Sequence, residues 1–276
     1  MTTRTFVITG GTDGIGKAVA RAYLARGEEV VVVGRDAAKG AAWLGAARRS
    51  GAGARAHFLR ADLSLIAENR RVADVLRSRF PKLDALVLCA RHYRSTRLVT
   101  SEGFENTFAH FYLSRYLLSH GLAGPLEAAA RPVVLNVAGP GDAGPVRWDD
   151  LEFARDYDAG AALAHGGRLN DLLGAGFPHH RPGSAIRYVV YGPGVVGTSF
   201  SGQYTPEAAA QVEALRRTAE PVAAAVVPIL AVLDDPPTAL FSALVKGVPL
   251  DPDGPGFDVA QARRLHRVTG ELFAAA

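Results

Sequence analysis

A glycine-rich segment near the start of the chain has the residue types and spacing of a phosphate-binding loop. Residues 9–16 read Thr-Gly-Gly-Thr-Asp-Gly-Ile-Gly, between an apolar run and an amphipathic segment. Glycines at such a junction allow a tight turn, and the N–H groups of the helix that follows can meet a pyrophosphate. The segment predicts a dinucleotide site, and a glycine-rich turn without a ligand is the alternative. The expected contacts come from Gly10, Thr12, Asp13, Gly14, Ile15 and Gly16.

Residues that could bind a metal are not arranged to do so. Cys89 is the single cysteine, which excludes an intramolecular disulfide and a cysteine-based zinc site and fits a reducing cytoplasm. None of the eight histidines belongs to an HExxH motif, and His179 and His180 lie between two prolines in a predicted loop. We therefore expect no metal site and a cytoplasmic protein.

The elements that must position the loop alternate between strand and helix. Strands are predicted at 5–9, 30–33, 54–60, 83–88, 132–137 and 186–191, and helices at 15–26, 37–50, 64–79, 102–120 and within 158–175. Because parallel strands need crossovers of this length, the pattern predicts one doubly wound parallel sheet, a Rossmann-like α/β fold with helices on both faces. The alternation weakens after Pro193, where helices are predicted at 205–219, 221–234 and 258–274. We expect a single domain over residues 1–276.

Composition and charge restrict the class of partner. With 48% apolar and 21% charged residues, the chain of 276 residues can bury a sizeable core. The net charge of +4 comes from basic residues interleaved with acidic ones, so nucleic acid is not the expected partner. The longest apolar stretches, near 30–33 and 221–233, are shorter than the roughly 20 residues of a membrane helix. We expect no membrane association and a small-molecule substrate.

The loop and its context resemble a known family. The pattern TGxxxGIG after a strand and at the start of a helix is similar to the nucleotide-binding signature of short-chain dehydrogenases/reductases. The resemblance covers roughly residues 5–200. It implies a nicotinamide cofactor and a homodimer or homotetramer formed through the fourth and fifth helices.

Three positions after the next strands extend the resemblance. Arg35 follows the second strand, where it can pair with a ribose 2′-phosphate, which implies NADP(H) rather than NAD(H). A solvated arginine at a helix start is the alternative. Asp62 and Leu63 occupy the place where the family covers the adenine ring, although Asp62 also fits an ordinary helix N-cap. Ala90 corresponds to the alanine of the family's Asn-Ala-Gly after the fourth strand.

A proline-glycine segment follows the sixth strand. Residues 191–198 read Tyr-Gly-Pro-Gly-Val-Val-Gly-Thr and are similar to the family segment whose threonine holds the nicotinamide carboxamide. The resemblance implies cofactor contacts from Pro193, Gly194, Val196 and Thr198. Residues 197–235 fall where the family has a variable substrate lid.

The family's catalytic residues are replaced. Carbonyl-reducing members use Tyr-x-x-x-Lys on the fifth crossover helix, a serine after the fifth strand and usually an asparagine on the fourth helix. The alignment places Ala164 at the tyrosine, Arg168 at the lysine, Gly139 at the serine and Phe111 at the asparagine. The resemblance therefore implies an atypical member with a degenerate active site.

Another group must then supply the proton. Arg168 could hold the cofactor ribose and add positive charge, but a guanidinium is a poor proton donor. The candidate donors are His165, His110, Tyr112 and Tyr157, each of which could instead be a packing or surface residue.

Three functions remain open. The first is an atypical NADP(H)-dependent oxidoreductase that acts on a hydrophobic small molecule, in keeping with secondary metabolism. The second is a non-redox cyclase or isomerase on the same fold, and the third is a catalytically silent binding protein. The intact loop together with Arg35 favours the first.

Overall fold

The sheet that carries the glycine-rich loop has the order β10-β9-β7-β6-β4-β1-β2-β3 in a computed structural model that describes residues 3–275. Every pair in it is parallel except β9 with β10. Its strands are β1 (Thr5–Thr9), β2 (Glu29–Gly34), β3 (Ala56–Arg60), β4 (Ala85–Leu88), β6 (Val133–Val137), β7 (Arg187–Gly192), β9 (Phe241–Val245) and β10 (Val248–Pro249), and β5 (Tyr93–Arg94) pairs with β8 (Gly202–Gln203) in a separate small sheet.

Helices cover both faces of the sheet. They are α1 (Gly14–Ala25), α2 (Ala37–Arg49), α3 (Ile66–Arg79), α4 (Asn106–Phe108), α5 (Ser114–Gly121), α6 (Ala123–Glu127), α7 (Ala159–His180), α8 (Pro206–Thr218), α9 (Val222–Asp234) and α10 (Val259–Ala275), and the π-helical turn Ala109–Leu113 joins α4 to α5. Burial of an apolar strand on both faces requires this cover, and β1 is buried at every residue. The predicted doubly wound α/β fold is confirmed.

The register of the central strands brings the candidate site together. Thr9 at the end of β1 pairs with Val33 in β2 and with Leu88 in β4. Because parallel strands end at one edge of the sheet, the segments after β1, β2 and β4 leave it side by side. That edge is where a ligand binds in open α/β sheets.

Only part of the predicted lid lies outside the core. Helix α8 has no buried residue, whereas α9 packs against α1 and buries Val226, Ile229 and Leu233. The lid at 197–235 stays a prediction, and of the two helices within it only α8 has all its residues outside the core. The remainder belongs to a helical layer that covers the sheet.

Helix α10 lies on the two helices through which an oligomer is expected. It packs along α7, and Thr269 in α10 meets Tyr112 in the turn before α5, with 2.7 Å between the hydroxyl oxygens. Ala262 and Leu265 are buried in the same contact. The chain's own C-terminal helix thus covers part of that face. Over residues 3–275, no helix is both long and apolar enough to cross a membrane.

Candidate functional site

Three glycines of the loop leave no room for a side chain. Gly10 has φ +67°, and a Cβ there would lie 2.9 Å from the Cα of Ala90. At Gly14, with φ +49°, a Cβ would lie 2.7 Å from the Thr198 methyl group, and at Gly16 it would lie 2.6 Å from the Gly10 carbonyl oxygen. Only glycine therefore fits in this tight turn, here called the glycine cradle, which has the form of a pyrophosphate-binding loop at a helix N-terminus.

The other loop residues hold this turn in place. The Asp13 carboxylate caps α1 by accepting a hydrogen bond of 2.8 Å from Gly14 N. Burial opposes ionisation of Asp13, but hydrogen bonds from Lys39 and the Ser199 hydroxyl lower its pKa. Ile15 is buried in the core between α1 and the sheet. The Thr12 side chain packs over Gly34, where a Cβ would lie 3.3 Å from Thr12 Oγ1.

A cavity of about 460 Å³ lies beside the loop, at the ends of β2 and β3. Arg35 and Arg60 both line it, and Arg60 Nε donates a hydrogen bond of 3.2 Å to the Arg35 carbonyl oxygen. The remaining lining residues are Ala61, Asp62, Leu65 and Glu68. Sequence reasoning missed Arg60, although its place as the last residue of β3 could have indicated it.

Asp62 and Leu63 have separate structural tasks. Asp62 Oδ1 accepts hydrogen bonds from the backbone N–H and hydroxyl of Ser64, and these lower its pKa although burial acts in the opposite direction. The side chain of Leu63 belongs to the core, and its carbonyl oxygen accepts a hydrogen bond of 2.9 Å from Asn69. Leu63 is thus committed to packing, while Asp62 lines the cavity.

His110 is a candidate whose side chain does not line the cavity. Its Nδ1 is buried and has no hydrogen-bond partner within the described chain. Burial lowers the pKa of His110 to about 4, and the charges of Asp62, Arg115 and Arg35 also act on it. The ring is therefore neutral at physiological pH.

The segment after β7 returns to the loop. Gly194 has φ +73°, and Val196 is buried and forms a bridge with Glu220. Thr198 then lies against Gly14, and its Oγ1 accepts a hydrogen bond of 3.3 Å from Phe200 N. Two segments predicted to share one cofactor, the glycine loop and the proline-glycine segment, are thus in contact.

Comparison with known proteins agrees with this geometry. The short chain dehydrogenase family model matches residues 4–141. The chain belongs to the short chain dehydrogenase family. Among its relatives, the putative daunorubicin C-13 ketoreductase DnrU of Streptomyces sp. strain C5 is 32% identical over 196 residues, which are 71% of this chain and 67% of the relative.

A retinol dehydrogenase is also similar to this chain. Retinol dehydrogenase 12 of Bos taurus is 28% identical over 69% of this chain and 60% of its own length. The chain thus spans about three fifths to two thirds of the length of these relatives.

Among solved structures, a short-chain dehydrogenase from Sphingobium yanoikuyae in complex with NADPH has TM-score 0.64 and 20% identity. The match covers 99% of this chain and 96% of that chain. An alcohol dehydrogenase from the archaeon Thermococcus sibiricus complexed with 5-hydroxy-NADP has TM-score 0.66 and 18% identity, with coverage of 88% and 96%. These two show the fold alone.

Gly139 and Ala164, which the resemblance aligns with the family's serine and tyrosine, have open space around them. A Cβ at Gly139 would have no neighbour within 4 Å, and Ala164 on α7 is exposed. A Cβ at Gly167 would lie 3.7 Å from the Gly139 carbonyl oxygen, so α7 runs past the end of β6. Neither Gly139 nor Ala164 carries an ionisable side chain.

Arg168 is engaged elsewhere, contrary to the expected cofactor contact. Its guanidinium is only 2% exposed and donates hydrogen bonds to the carbonyl oxygens of Gly144, Pro255 and Gly256. Burial lowers the pKa of Arg168. The segment before α10 folds over α7 and takes up the guanidinium, so the structure does not bring Arg168 to the glycine loop.

Two of the candidate proton donors are likewise held by the core. The Tyr112 hydroxyl is buried against Thr269, and burial raises the pKa of Tyr112 well above its usual range. His165 Nε2 accepts a hydrogen bond of 3.1 Å from Arg147 N, and burial lowers the pKa of His165 to about 4. A substrate at the edge of the sheet cannot reach Tyr112, and His165 is neutral at physiological pH.

Tyr157 is the remaining candidate. Its hydroxyl lies 3.3 Å from Glu105 Oε1 and 3.4 Å from Thr107 Oγ1, and burial raises its pKa. These partners connect Tyr157 to the start of α4 rather than to the glycine loop.

A buried arginine that sequence reasoning did not assign supports the end of the sheet. Arg115 is 2% exposed and donates hydrogen bonds to Asn136 Oδ1, to Val137 O at 2.9 Å and to Ala90 O at 3.2 Å. Burial lowers the pKa of Arg115 to about 10. Asn136 in turn donates a hydrogen bond of 2.8 Å to Asn170 in α7. This network fixes the ends of β4 and β6 against the helices.

Asp171 holds the loop after β6. Its Oδ2 accepts a hydrogen bond of 2.9 Å from Gly141 N, while its Oδ1 is buried without a protein partner. Burial raises the pKa of Asp171 to about 7. The loop that begins at Gly139 is therefore fixed by α7.

Proposed function

We propose that this short-chain dehydrogenase is an NADP(H)-dependent oxidoreductase that interconverts a carbonyl and an alcohol on a hydrophobic small molecule. The observation that carries the proposal is the tight glycine turn of Gly10, Gly14 and Gly16 at the start of α1, together with the cavity lined by Arg35 at the end of β2. The relatives named as a putative ketoreductase and a retinol dehydrogenase support this class of substrate. Bound NADP(H) would supply or accept the hydride.

The residues around the loop have separate tasks in this proposal. Backbone N–H groups at the start of α1 bind the pyrophosphate, because they and the helix dipole favour an anion. Arg35 pairs with the 2′-phosphate, and Arg60 adds a second positive charge in the same cavity. Thr198 lies on the opposite side of the loop, where the family's threonine holds the carboxamide.

The proton takes a non-standard route in this proposal. Gly139 and Ala164 offer no acid, and the Arg168 guanidinium is bound by backbone carbonyl oxygens. Loss of a general acid typically lowers the rate by about 10²–10⁴. The protein therefore reduces unactivated ketones slowly, unless a substrate group or a water molecule supplies the proton.

A nucleotide-binding protein without turnover is the second candidate. The observation that favours it is the engagement of Arg168 with residues 255–256, which removes the last positive charge of the family's catalytic set from the site. Oxidation of NADPH in the presence of a hydrophobic ketone or aldehyde distinguishes the two candidates.

Exchange of Arg35 tests the proposed cofactor preference. Binding is measured by the fluorescence of Trp43 and Trp148 or by calorimetry, and we expect the wild type to bind NADPH more tightly than NADH. Arg35→Asp reverses that order, because a carboxylate repels the 2′-phosphate and accepts a hydrogen bond from the ribose hydroxyl. Arg21→Asp on the exposed side of α1 is the matched charge reversal and leaves the order unchanged. Equal affinity of the wild type for both nucleotides would contradict the proposed preference.

A further inference from the structure

The His92 side chain lies between Arg35 of the cavity and Ser201 in the segment after β7. Arg35 Nη2 lies 3.1 Å from His92 Nδ1 and 3.4 Å from His92 Nε2. The same Nδ1 atom lies 2.9 Å from the Ser201 hydroxyl oxygen. The imidazole thus joins the arginine of the cavity to the segment that follows β7.

Residues 198–204, here called the strap, reach from the glycine loop to His92. At one end Thr198 lies against Gly14. Further along, Tyr93 N donates a hydrogen bond of 3.1 Å to the Ser201 carbonyl oxygen, and β5 pairs with β8 beyond it. The rings of Tyr93 and Tyr204 stack with centroids 5.3 Å apart. The strap is therefore fixed to the segment after β4 and crosses beside the start of α1.

The charges that face His92 keep the ring neutral in the free protein. Burial, followed by Arg35 and Arg94, lowers the pKa of His92 to about 4, and Asp62 opposes this shift. His110 is a further titratable neighbour. A phosphate bound to Arg35 would bring negative charge next to the ring. That charge favours the protonated imidazole, which releases Arg35 to the phosphate, because both groups are then donors, and donates a hydrogen bond from Nδ1 to the Ser201 hydroxyl.

We propose that His92 is a specificity-determining residue that couples a phosphate on Arg35 to the attachment of the strap at Ser201. The strap then holds NADP(H) more firmly than NAD(H), in which the phosphate is missing. This inference rests on the proposed cofactor. His92 does not touch the reacting atoms, so it is a positioning residue that acts through Arg35 and Ser201.

Dissociation kinetics test the coupling. NADPH or NADH is displaced from the wild type, His92→Ala and Ser201→Ala in a stopped-flow fluorimeter, with the surface variants His179→Ala and Ser78→Ala as matched controls. We expect His92→Ala to speed NADPH dissociation by about tenfold, which corresponds to one charge-assisted hydrogen bond, and to change NADH dissociation by less than about twofold. Ser201→Ala acts in the same direction, and the controls match the wild type.

A second measurement detects release of the strap by limited proteolysis and does not depend on enzymatic activity. Arg216 in α8 donates a hydrogen bond of 3.2 Å to the Ser199 carbonyl oxygen, so tryptic cleavage at Arg216 reports release of the strap. NADPH protects this site more than NADH does in the wild type. The difference disappears in His92→Ala.

The outcomes separate this inference from the proposed function. If the wild type discriminates between the nucleotides but His92→Ala leaves both dissociation rates unchanged, the coupling is wrong and the cofactor proposal stands. If His92→Ala slows NADPH dissociation, the ring competes with the phosphate for Arg35, and the coupling is again wrong. If the wild type binds neither nucleotide, both proposals fail.

Discussion

At the scale of single residues, Arg168 has a structural task in this chain. The resemblance to the family predicts that Arg168 holds the cofactor, but its guanidinium donates hydrogen bonds to carbonyl oxygens in residues 144 and 255–256. A buried arginine whose donors are paired contributes to stability, because its removal leaves those oxygens without partners. Arg115 has a comparable place under the ends of β4 and β6.

Truncation of Arg168 should therefore affect stability rather than cofactor binding. We expect Arg168→Ala to lower the free energy of unfolding by about 2–3 kcal/mol, since charged hydrogen bonds to buried carbonyl oxygens are lost. Urea unfolding measures this change, and NADPH affinity stays within about twofold of the wild type. Arg181→Ala, which removes a partly exposed ion pair with Glu127 at the end of α7, is the matched control and costs less than about 1 kcal/mol. A stable Arg168→Ala protein that no longer binds NADPH would restore the cofactor contact implied by the family.

At the scale of elements, the docking of α10 depends on three histidine rings. His266 in α10 stacks on His180 with ring centroids 3.7 Å apart and meets His120 of α5 at 5.2 Å. The buried Nε2 atoms of His120 and His180 have no partner in the described chain. Neutral imidazole rings can pack together in such a cluster. Protonation of the rings introduces charge repulsion at the contact between α5, α7 and α10.

Acid should release this contact. Burial lowers the pKa of His120 to about 3 and that of His180 to about 4, below the value of about 6.5 for an exposed histidine. The folded state then binds fewer protons than the unfolded state. Stability is fully present above pH 6.5 and falls as the pH decreases from about 6.5 towards 4. His120→Phe should flatten this slope by up to about 1.4 kcal/mol per pH unit in thermal unfolding, the limit for one histidine.

The exposed His179 at the end of α7 supplies the control. His179→Phe should leave the slope unchanged, and hydrogen exchange should show that α10 opens first in acid. A wild-type slope that His120→Phe does not alter would contradict the role of the cluster.

At the scale of the whole molecule, local pattern predicted six strands of the sheet but not the strands β9 and β10 at one edge of it. The run Val30–Val33 and the glycine spacing at Gly10, Gly14 and Gly16 are local signals that predicted a parallel sheet and its phosphate loop. The spacing of apolar residues along the chain does not show which residues distant in sequence pair with each other. The strands β5 and β8 have two residues each and form only because the strap meets the segment after β4.

The docking of α10 was beyond sequence reasoning for the same reason. An amphipathic helix over 258–274 was predicted, but its pattern does not state which surface it covers. The structure places it on α7 and next to Tyr112, over part of the face expected to join subunits. The expected homodimer or homotetramer remains a prediction, and it requires a surface that α10 leaves free.

The central claim is that the glycine cradle and the Arg35 cavity form one NADP(H) site. Calorimetric titration of the wild-type protein with NADPH tests it most directly, with Gly14→Val as the variant whose side chain would collide with Thr198. We predict one NADPH per chain with a dissociation constant in the micromolar range and no measurable binding to Gly14→Val, because the added side chain covers the backbone that meets the pyrophosphate. The account would be contradicted if the wild type bound no NADPH below about millimolar concentration, which corresponds to a binding free energy of about 4 kcal/mol.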